Sequence, residues 1–524
     1  MGSALYAQSP GVEIGTTYYD FQTIGPIGNR ITVCEDGTWF TCWTRLLSWP
    51  YPPGTRNVWA AWHYPGDTTI YSEPLNIDAG GGLPTVDLIN TCDPVFAYFE
   101  ARSYITMNIG VDSPRYFDPP DSLPDSSDPC SWPYFAVNGQ NNIYLLMTEM
   151  HSPRVLRLGY TMSSDGGNTW QTPRMIDTVM IVGSTIDASP VSNRVAYAYS
   201  QPIDTLTFYQ NNIVYRVSND GYSWGPRVNI TNYGNDDDSL WAFTDVDIIF
   251  DYDDYLHVIW TAFWVSDEAI HSPTFLFHYS EETGEITEIT HYPDSDNWTY
   301  ICGNWTRPIC KINSGVQDST DNIFVTWTQY DTSDVSAGGY GNGDIFMSYS
   351  DGGAYWQTPE NITNSQTPGC YPGNCDSDIY ASLADLITDS LRIQYLNDKD
   401  AGSIMQTEGA ATVNPVKYLA IPTPVLLSAD DLDSHLPSGF TLNQNYPNPF
   451  NQSTSISFSI PDPGPVKLEI FDITGALVLT LVDDNLPAGN HQVTWDAGEL
   501  ASGTYLCKLT SGGAARIVKA LLIK

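Results

Sequence analysis

Acidic runs and scattered histidines are the residue types in this sequence that could bind a metal ion. Residues 236–238 and 251–254 are rich in carboxylates, but both fall in predicted loops and neither has the D-x-D-x-D-G spacing of a calcium loop. His257 lies at a predicted strand start, and His271 and His278 are seven residues apart, which defines no metal site. We therefore predict neither a metal site nor a cofactor. A structural calcium ion in an acidic loop is the alternative.

One serine has the spacing of a hydrolase nucleophile. Residues 221–225 match G-x-S-x-G, which exposes its serine only where a strand, a sharp turn and a helix follow one another. The flanks 213–217 and 227–230 instead alternate like two strands. Ser223 is therefore predicted to be a turn residue.

Nine cysteines could form disulfide bonds, and three pairs are close in sequence: Cys34 with Cys42, Cys302 with Cys310, and Cys370 with Cys375. An Asp-Gly turn at 36–37 would fold two strands together and bring the sulfurs of the first pair opposite each other. Zinc is disfavoured, because paired C-x2-C units and histidines at ligand spacing are missing from the sequence. Local disulfides predict an oxidising compartment.

Two aromatic clusters could stack on sugar rings. The first is Trp298, Tyr300 and Trp305, which we take as candidate binding residues, and the second is Trp39, Trp43, Trp49 and Tyr51. Many such residues are expected in the core rather than in a site.

These candidates must be positioned by a β-rich scaffold. The 524 residues exceed one ordinary core, and 33 Tyr, 16 Trp, 41 Gly and 36 Pro without a long 3.6-residue period favour an all-β chain of short strands and turns. No run of about 18 apolar residues exists, so no membrane span is predicted. The segment Met1 to Gln8 is too short for a signal peptide's apolar core, and we interpret residues 1–11 as a leader remnant.

The net charge of −40 restricts the partners. Residues 441–524 hold only seven acidic and five basic residues, so the preceding region carries nearly all of this charge. Such a field repels phosphates and anionic headgroups, while it favours solubility and divalent cations. Nucleic acid is therefore excluded as an expected partner.

A short unit recurs three times, fully as S-x-D-x-G-x-x-W at 163–170 and in degenerate form at 218–224 and 350–356. It resembles the Asp-box, or BNR, repeat of sialidase-like β-propellers. Glycine would supply positive φ, aspartate would cap backbone N–H groups, and tryptophan would anchor a hairpin turn. The resemblance implies a structural role for Asp165, Gly167, Trp170, Asp220, Trp224, Asp351, Gly353 and Trp356.

Strands and turns alternate through the same region. Strong strands are predicted at 39–43, 58–62, 95–99, 143–147, 195–199, 257–264, 323–327 and 379–383, with turns near Asp67, Asp112, Asp165, Asp220, Glu281, Asp351 and Asp398. The turns are 45 to 70 residues apart, close to the length of a four-stranded blade. We predict a seven-bladed β-propeller over 12–425, or a six-bladed one if 92–119 is an insertion. Residues 12–23 could supply the strand that closes the ring.

The same resemblance suggests a catalytic set. Arg30, in Asn29-Arg30-Ile31-Thr32, lies where the family carries an Arg-Ile-Pro motif that binds a substrate carboxylate. Arg307 is a second inner-strand arginine, and Tyr380 lies in a stretch similar to the region of the family's nucleophilic tyrosine. The sequence departs from the family: Thr32 replaces the proline, and a third arginine, the acid/base Asp and the activating Glu cannot be assigned. Any enzyme activity would be that of a sialidase-like glycoside hydrolase, and structural roles for Arg30 and Arg307 are favoured.

The C-terminal region has a different composition. Residues 426–439 are polar and acidic and are predicted to be a linker. Residues 440–524 then alternate in strands separated by Gly and Pro turns, which predicts an immunoglobulin-like β-sandwich. From Asn445-Tyr446-Pro447-Asn448-Pro449-Phe450-Asn451 through Ser502-Gly503-Thr504-Tyr505 to the terminal lysine, this stretch resembles the type A C-terminal sorting domain of type IX secretion. The resemblance implies partnership with that machinery and a secreted or outer-surface location on a Gram-negative bacterium.

Three functions remain open on the sequence alone. The first is a surface propeller that binds extracellular glycan or protein without turnover. The second is a secreted glycoside hydrolase or lyase with two carboxylates roughly 5 to 10 Å apart in a central pocket. The third is a structural component of an extracellular assembly, which predicts a self-complementary surface.

Overall fold

The computed structural model divides the chain into two units, Met1–Thr423 and Pro424–Lys524. In the first unit it describes residues 9–423 apart from 24, 51–55, 76–80, 101–104, 112–114, 118–122, 124–129, 153–154, 180–182, 204–209, 235–238, 267–268, 293–301 and 304–305. In the second it describes 441–522 apart from 444, 446–447, 449, 461–462, 473–476, 488, 499 and 512–513. The predicted linker 426–439 and most of the predicted leader remnant lie outside these residues, so both stay predictions.

Strands make up nearly all the regular structure of the described residues, which confirms the all-β prediction. In the first unit they are β1 Val12–Thr17, β2 Ile31–Val33, β3 Trp39–Leu46, β4 Arg56–His63, β5 Tyr71–Pro74, β6 Gly82–Ile89, β7 Asp93–Phe99, β8 Ile105–Ile109, β9 Arg115–Phe117, β10 Cys130–Val137, β11 Ile143–Ser152, β12 Val155–Ser163, β13 Arg174–Val179, β14 Ser184–Ala188, β15 Val195–Pro202, β16 Asn211–Ser218, β17 Val228–Asn229, β18 Ser239–Phe250, β19 Leu256–Ser266, β20 Ala269–Ser280, β21 Ile286–Tyr292, β22 Ile309–Gln317, β23 Asn322–Val335, β24 Gly341–Asp351, β25 Tyr355–Trp356, β26 Glu360–Asn361, β27 Ser377–Leu383, β28 Leu386–Ile387, β29 Ser390–Asp398 and β30 Asn414–Pro422. A short 3-10 helix covers Ile404–Gln406. No helix among the described residues has the length and apolarity to cross a membrane.

The strands of the first unit form antiparallel groups in which consecutive strands are neighbours. These groups are β2–β5, β6–β9, β10–β13, β14–β17, β18–β21 and β22–β26, followed by β27, β29, β30 and β1. One residue pair, Asn211 with Ala242, links the fourth group to the fifth. The first strands of successive groups contact one another in turn, and β2 contacts β29 of the last group. This ring of radial sheets is the architecture of a β-propeller.

The N-terminal strand closes the ring. Strand β1 pairs with β30 in antiparallel register from Val12 opposite Tyr418 to Thr17 opposite Asn414. The predicted closing strand is therefore confirmed, although it ends at Thr17 rather than continuing to residue 23. Pairing the two ends of the unit removes the open sheet edges that an unclosed ring would expose.

Bulges interrupt four of the inner strands close to where they begin. Leu83, Trp132, Lys311 and Tyr380 have φ values of 51°, 51°, 55° and 57°. Each coincides with a register shift in the pairing of its strand with the next. A bulge redirects side chains, and its repetition on one side of the ring gives the channel mouth an irregular lining.

The hairpin turns at the first two recurring units have similar hydrogen bonds from backbone N–H groups to the aspartate. Asp165 Oδ1 accepts the backbone N–H of Thr169 at 2.8 Å, and the Trp170 indole donates to the carbonyl of Gly167 at 3.1 Å. Asp220 Oδ1 accepts the N–H of Ser223 at 2.7 Å. Ser223 thus lies in a turn between β16 and β17 rather than between a strand and a helix. The predicted turn assignment of Ser223 is confirmed.

The disulfides differ from the predicted pairing. Cys34 is bonded to Cys92, and Cys370 to Cys375. Cys42, Cys302 and Cys310 are buried free thiols, so a Cys34–Cys42 bond and a Cys302–Cys310 bond are both wrong for this structure. The predicted hairpin at 36–37 does form, but Cys34 donates its N–H to the carbonyl of Thr38 while Cys42 donates to that of Arg30. The two cysteines are therefore about four residues out of register, or roughly 13 Å along the strand.

The second unit is a two-sheet structure. Its strands are β31 Thr441–Leu442, β32 Ser453–Ile460, β33 Gly464–Asp472, β34 Leu477–Leu486, β35 Gly489–Asp496, β36 Gly503–Ser511 and β37 Ala514–Leu522. One sheet has the order β31-β32-β35 and the other β34-β33-β36-β37. Trp495, Leu468 and Cys507 are fully buried in one apolar cluster. This arrangement agrees with the predicted sandwich, and its immunoglobulin-like class stays a prediction.

Candidate functional site

The chain's own residues fill the mouth of the central channel. After β1, residues 18–29 (described apart from 24) are almost all buried; we call them the channel segment. Gln22 Nε2 donates to the carbonyl of Thr44 at 3.0 Å, and Tyr134 donates its hydroxyl to the carbonyl of Pro26 at 2.8 Å. Because these partners belong to the first and third strand groups, the channel segment is held by both groups.

The side chain of Arg30 forms hydrogen bonds that hold the channel segment in place. Its guanidinium is buried and donates to the carbonyl of Ile27 at 3.3 Å, to Gln22 Oε1 at 3.3 Å and to the carbonyl of Gln22. Its backbone N–H donates to Ser382 Oγ at 3.0 Å and so connects the first strand group to the last. These contacts occupy the side chain that would otherwise face a substrate carboxylate.

Arg307 lies in a different environment. Its guanidinium stacks over the rings of Phe243 and Phe263 at 4.6 and 5.3 Å, and Nη1 donates to the carbonyl of Thr306 at 2.7 Å. The aromatic contacts direct it toward β18 and β19. The candidate binding residues Trp298, Tyr300 and Trp305, and the acidic run 236–238, lie outside the described residues, so their roles stay predictions.

Tyr380 lines a small polar cavity at the channel mouth, together with Asp20, Tyr330 and Asp398. The cavity holds about 30 Å³, space for about two water molecules. Burial raises the pKa of Asp20 to about 6, and burial followed by the charge of Asp20 raises that of Asp398 well above its usual value. The site thus places two carboxyl groups that favour protonation beside a phenol.

The electrostatics of Tyr380 oppose a nucleophilic role. Burial, followed by the negative charge of Asp20, raises its pKa well above the usual value of a phenol. A tyrosine nucleophile needs the opposite change, because only the phenolate attacks efficiently. In this geometry Tyr380 is a buried residue of the cavity wall.

A larger space lies where the first and last strand groups meet. This seam groove has a volume of about 540 Å³ and is lined by Val12, Asp36, Gly37, Trp39, His63, Pro65, Thr68, Ile70, Arg392 and Tyr418. The ring of Trp39 stacks on those of Tyr418 and His63, with centroids 4.3 and 6.0 Å apart. The closing strand pair creates this groove by bringing β29 and β30 beside β3 and β4.

The groove wall offers both donors and acceptors. Arg392 Nη1 donates to the hydroxyl oxygen of Tyr418 at 3.1 Å, so the Tyr418 hydrogen can be donated to a ligand. Burial raises the pKa of Tyr418, which keeps this hydroxyl protonated. His63 Nε2 faces the carbonyl of Asp67 at 3.0 Å and must donate there, which leaves Nδ1 as an acceptor.

Sequence inspection identified only part of this groove. Trp39 belongs to a predicted aromatic cluster, whereas Arg392 and Tyr418 are more than 300 residues away in sequence and carry no local motif. The one available signal was the predicted closing strand, because pairing it with the last sheet places that sheet beside the first.

Comparison with known families identifies the C-terminal region. Residues 444–524 match the family model described as the secretion system C-terminal sorting domain. The chain therefore carries a sorting domain that directs it to type IX secretion, in agreement with a secreted or cell-surface location. No curated protein matches the chain.

Several solved structures have a similar fold at low identity. A polysaccharide lyase of family PL25, an ulvan lyase, is 14% identical with a TM-score of 0.48, covering 83% of this chain and 100% of its own. The polysaccharide lyase Uly1 is 10% identical with a TM-score of 0.44, covering 80% and 93%. An α-L-arabinofuranosidase of Fusarium graminearum is 13% identical with a TM-score of 0.39, covering 80% and 98%. Similarity at this level says nothing about what this chain binds.

Proposed function

We propose that this exported chain is a glycan-binding β-propeller of seven blades and that the seam groove is its saccharide site. The seven antiparallel strand groups support the blade number. The observation that supports this binding site is a difference in volume. The groove has about 540 Å³, whereas two cavities at the channel mouth have about 30 and 10 Å³. Sites for small ligands usually have several hundred Å³.

The chemistry of the groove wall fits sugar hydroxyl groups, each of which both donates and accepts hydrogen bonds. Tyr418 and Arg392 supply donors, and His63 Nδ1 supplies an acceptor. Gly37 adds no side chain, and a Cβ there would lie 3.7 Å from Arg392 Nη2. Trp39 is only 3% exposed, so the ring surface available to a sugar is that of Tyr418 and His63, which stack on it.

Conservative variants of the full chain test this proposal on a glycan array. Tyr418→Phe removes one hydroxyl and keeps the ring, so we expect about three- to tenfold weaker binding, the effect of one hydrogen bond. Tyr355→Phe is the matched control, because Tyr355 is 74% exposed in a distant turn. Equal binding by the wild type and both variants would exclude the groove as the site.

We propose that the turns around Asp165, Asp220 and Asp351 are Asp-box turns with a structural role. Their support is the backbone N–H groups bonded to Asp165 and Asp220 and, for all three turns, the position between the third and fourth strands of a group. Substitution of these aspartates should lower stability without changing ligand specificity.

A second candidate is a glycoside hydrolase or lyase centred on Asp20 and Asp398. The observation that favours it is the pair of buried carboxyl groups with raised pKa values in one cavity. Access for a sugar would require the channel segment to move. Release of reducing ends or unsaturated products from polysaccharides, lost in Asp398→Asn, would support it, and turnover that persists in this variant would exclude it. A structural role in an assembly would instead appear as a stable oligomer in solution.

A further inference from the structure

A continuous chain of polar side chains connects the fifth strand group to the sixth. His257 Nε2 lies 3.0 Å from Asp251 Oδ2, and His257 Nδ1 lies 2.9 Å from His278 Nε2. His278 Nδ1 then lies 3.2 Å from the hydroxyl oxygen of Thr287. Both histidines are fully buried, so water cannot substitute for a missing hydrogen bond.

The chain ends on the recurring turn of the next group. Thr287 donates its hydroxyl hydrogen to the carbonyl of Gly353 at 2.9 Å and accepts the indole N–H of Trp356 at 3.2 Å. The ring of His278 packs edge-to-face against Trp356 with centroids 5.3 Å apart. The position of the 351–356 turn therefore depends on Thr287 and His278.

The donor and acceptor of each hydrogen bond in this series can be assigned by starting at the carbonyl of Gly353. A carbonyl can only accept, so Thr287 donates to Gly353 and its oxygen accepts from Trp356 and from His278 Nδ1. Burial, followed by the neighbouring His257, lowers the pKa of His278 well below its usual value, so this ring is neutral and its Nε2 is an acceptor. His257 Nδ1 must then donate to His278.

The contact between Asp251 and His257 determines how many protons this pair must hold. With Nδ1 of His257 already protonated, a neutral ring would direct the Nε2 lone pair at a carboxylate oxygen 3.0 Å away. One additional proton between Asp251 and His257 removes this repulsion, whether it resides on the ring or on the carboxyl group. Asp251 Oδ1 meanwhile accepts the N–H of Tyr255 at 2.7 Å.

We propose that Asp251, His257, His278 and Thr287 form a one-proton latch that fixes the 351–356 turn of the sixth group to the fifth and weakens as the medium becomes alkaline. If the shared proton is lost and His257 keeps its proton on Nδ1, the Nε2 lone pair faces the Asp251 carboxylate. If His257 instead keeps its proton on Nε2, the lone pairs of His257 Nδ1 and His278 Nε2 face each other. Addition of a second proton places two N–H groups in opposition between His257 and His278. The latch is therefore satisfied in only one protonation state.

The surrounding charges act on the carboxylate end. The acidic groups near Asp251 and the start of β19 are Asp253, Asp254, Glu281 and Asp321, and the base among them is Arg194, which bonds Glu281 at 2.7 Å. The His278 end faces Trp356, Thr287 and the backbone of Gly353, which carry no charge.

The variant Asp251→Asn, made in the full chain, distinguishes the effect of the shared proton on stability from that of packing. The asparagine oxygen can still accept from Tyr255, and its amide N–H can donate to neutral His257, so every bond is made without the shared proton. On the alkaline side the unfolding equilibrium constant of the wild type should rise more steeply with pH than that of Asp251→Asn. We expect the difference to reach up to about tenfold per pH unit, because the latch adds one proton to those held by other buried carboxyl groups. Glu360→Gln, at an exposed carboxylate on β26, is the control and should follow the wild type.

Nitrogen NMR of histidine-labelled protein reads the protonation states directly. The expected result at near-neutral pH is a doubly protonated or strongly hydrogen-bonded His257 and a neutral His278 with its proton on Nδ1. A His278 ring protonated on Nε2 would overturn the proposal. So would equal alkaline slopes for the wild type and Asp251→Asn.

Discussion

Lys311 Nζ lies 3.5 Å from Asp245 Oδ1, and both side chains are almost completely buried near the channel mouth. The same carboxylate oxygen accepts the backbone N–H of Lys311 at 3.1 Å. The bulge at Lys311, with a φ of 55°, brings its ammonium group to the carbonyl of Gly25 in the channel segment. One ion pair therefore connects the fifth and sixth strand groups to that segment.

Removal of one partner of this pair should be costly. Lys311→Met leaves Asp245 buried without a counter-charge, and we expect a loss of about 3–5 kcal/mol in the free energy of unfolding. The double variant Lys311→Met/Asp245→Leu should recover most of that loss. Chemical denaturation measures both. Lys467→Met, which breaks an exposed pair in the second unit, should change stability far less.

Arg30→Gln should release the channel segment. It removes donors to Gln22 and Ile27 that hold the segment in place. Hydrogen exchange in residues 18–29 should become at least about tenfold faster, since each lost hydrogen bond contributes roughly 1 kcal/mol or more. Arg227→Gln, at a 43% exposed arginine, serves as the control. Unchanged protection of the segment in Arg30→Gln would show that Arg30 does not hold it.

Much of the fold could be predicted from the sequence, because the strands and turns of each group depend on local sequence patterns. Turns predicted near Asp67, Asp165, Asp220, Glu281 and Asp351 all lie between the third and fourth strands of a group. The turn at Asp398 lies instead between the second and third strands, because β1 from the other end of the unit supplies the fourth. Asp112 lies outside the described residues.

The candidate site was less predictable because it depends on long-range contacts. The channel segment has no repeat or periodicity, and its burial results from the ring around it. The seam groove combines Trp39 with Arg392 and Tyr418 from the other end of the unit. Cys34 likewise pairs with Cys92, 58 residues away, where sequence spacing pointed to Cys42. Each of these contacts becomes visible only when neighbouring sheets are placed side by side.

The two disulfides should differ in their contribution to stability. In the chain-entropy model, the 58-residue separation of Cys34 and Cys92 corresponds to about 4 kcal/mol, and the five-residue separation of Cys370 and Cys375 to about 2 kcal/mol. Paired serine variants of each bond, compared by chemical denaturation, measure the difference. Cys42→Ser is a control for the loss of a buried thiol without loss of a cross-link. A larger effect from the short bond would contradict the entropic account.

Stability should fall between mildly acidic and mildly alkaline pH. Burial raises the pKa of Asp187 to about 8 and those of Asp87 and Asp247 to about 7. The folded chain thus holds protons that the unfolded chain has lost above pH 4, so their stabilisation is complete below about pH 4 and declines as pH rises to about 8. The midpoint of thermal unfolding should be higher at pH 5 than at pH 8. Asp187→Asn should reduce this difference, and an unaltered pH profile would contradict the assignment.

Two adjacent glycines test whether the 351–356 turn depends on His278. Gly352 and Gly353 both have positive φ, 58° and 80°, so alanine is strained at either position, by about 1 kcal/mol. A Cβ at Gly352 meets nothing within 4 Å, whereas one at Gly353 would lie 2.0 Å from His278 Cε1. Backbone strain is therefore closely matched, and the collision with the latch is the main difference between the two variants.

We expect Gly353→Ala to be less stable than Gly352→Ala by at least about 1–3 kcal/mol, the cost of overpacking a buried site. Displacement of His278 should also break its bond to Thr287, so Trp356 would lose its packed environment in Gly353→Ala alone, which near-ultraviolet circular dichroism would report. If both variants lose stability equally, the turn is held by its own backbone and His278 is only a neighbour. If Gly353→Ala alone is destabilised in this way and its alkaline slope falls to that of Asp251→Asn, the same contact accounts for the packing of the turn and for its response to pH.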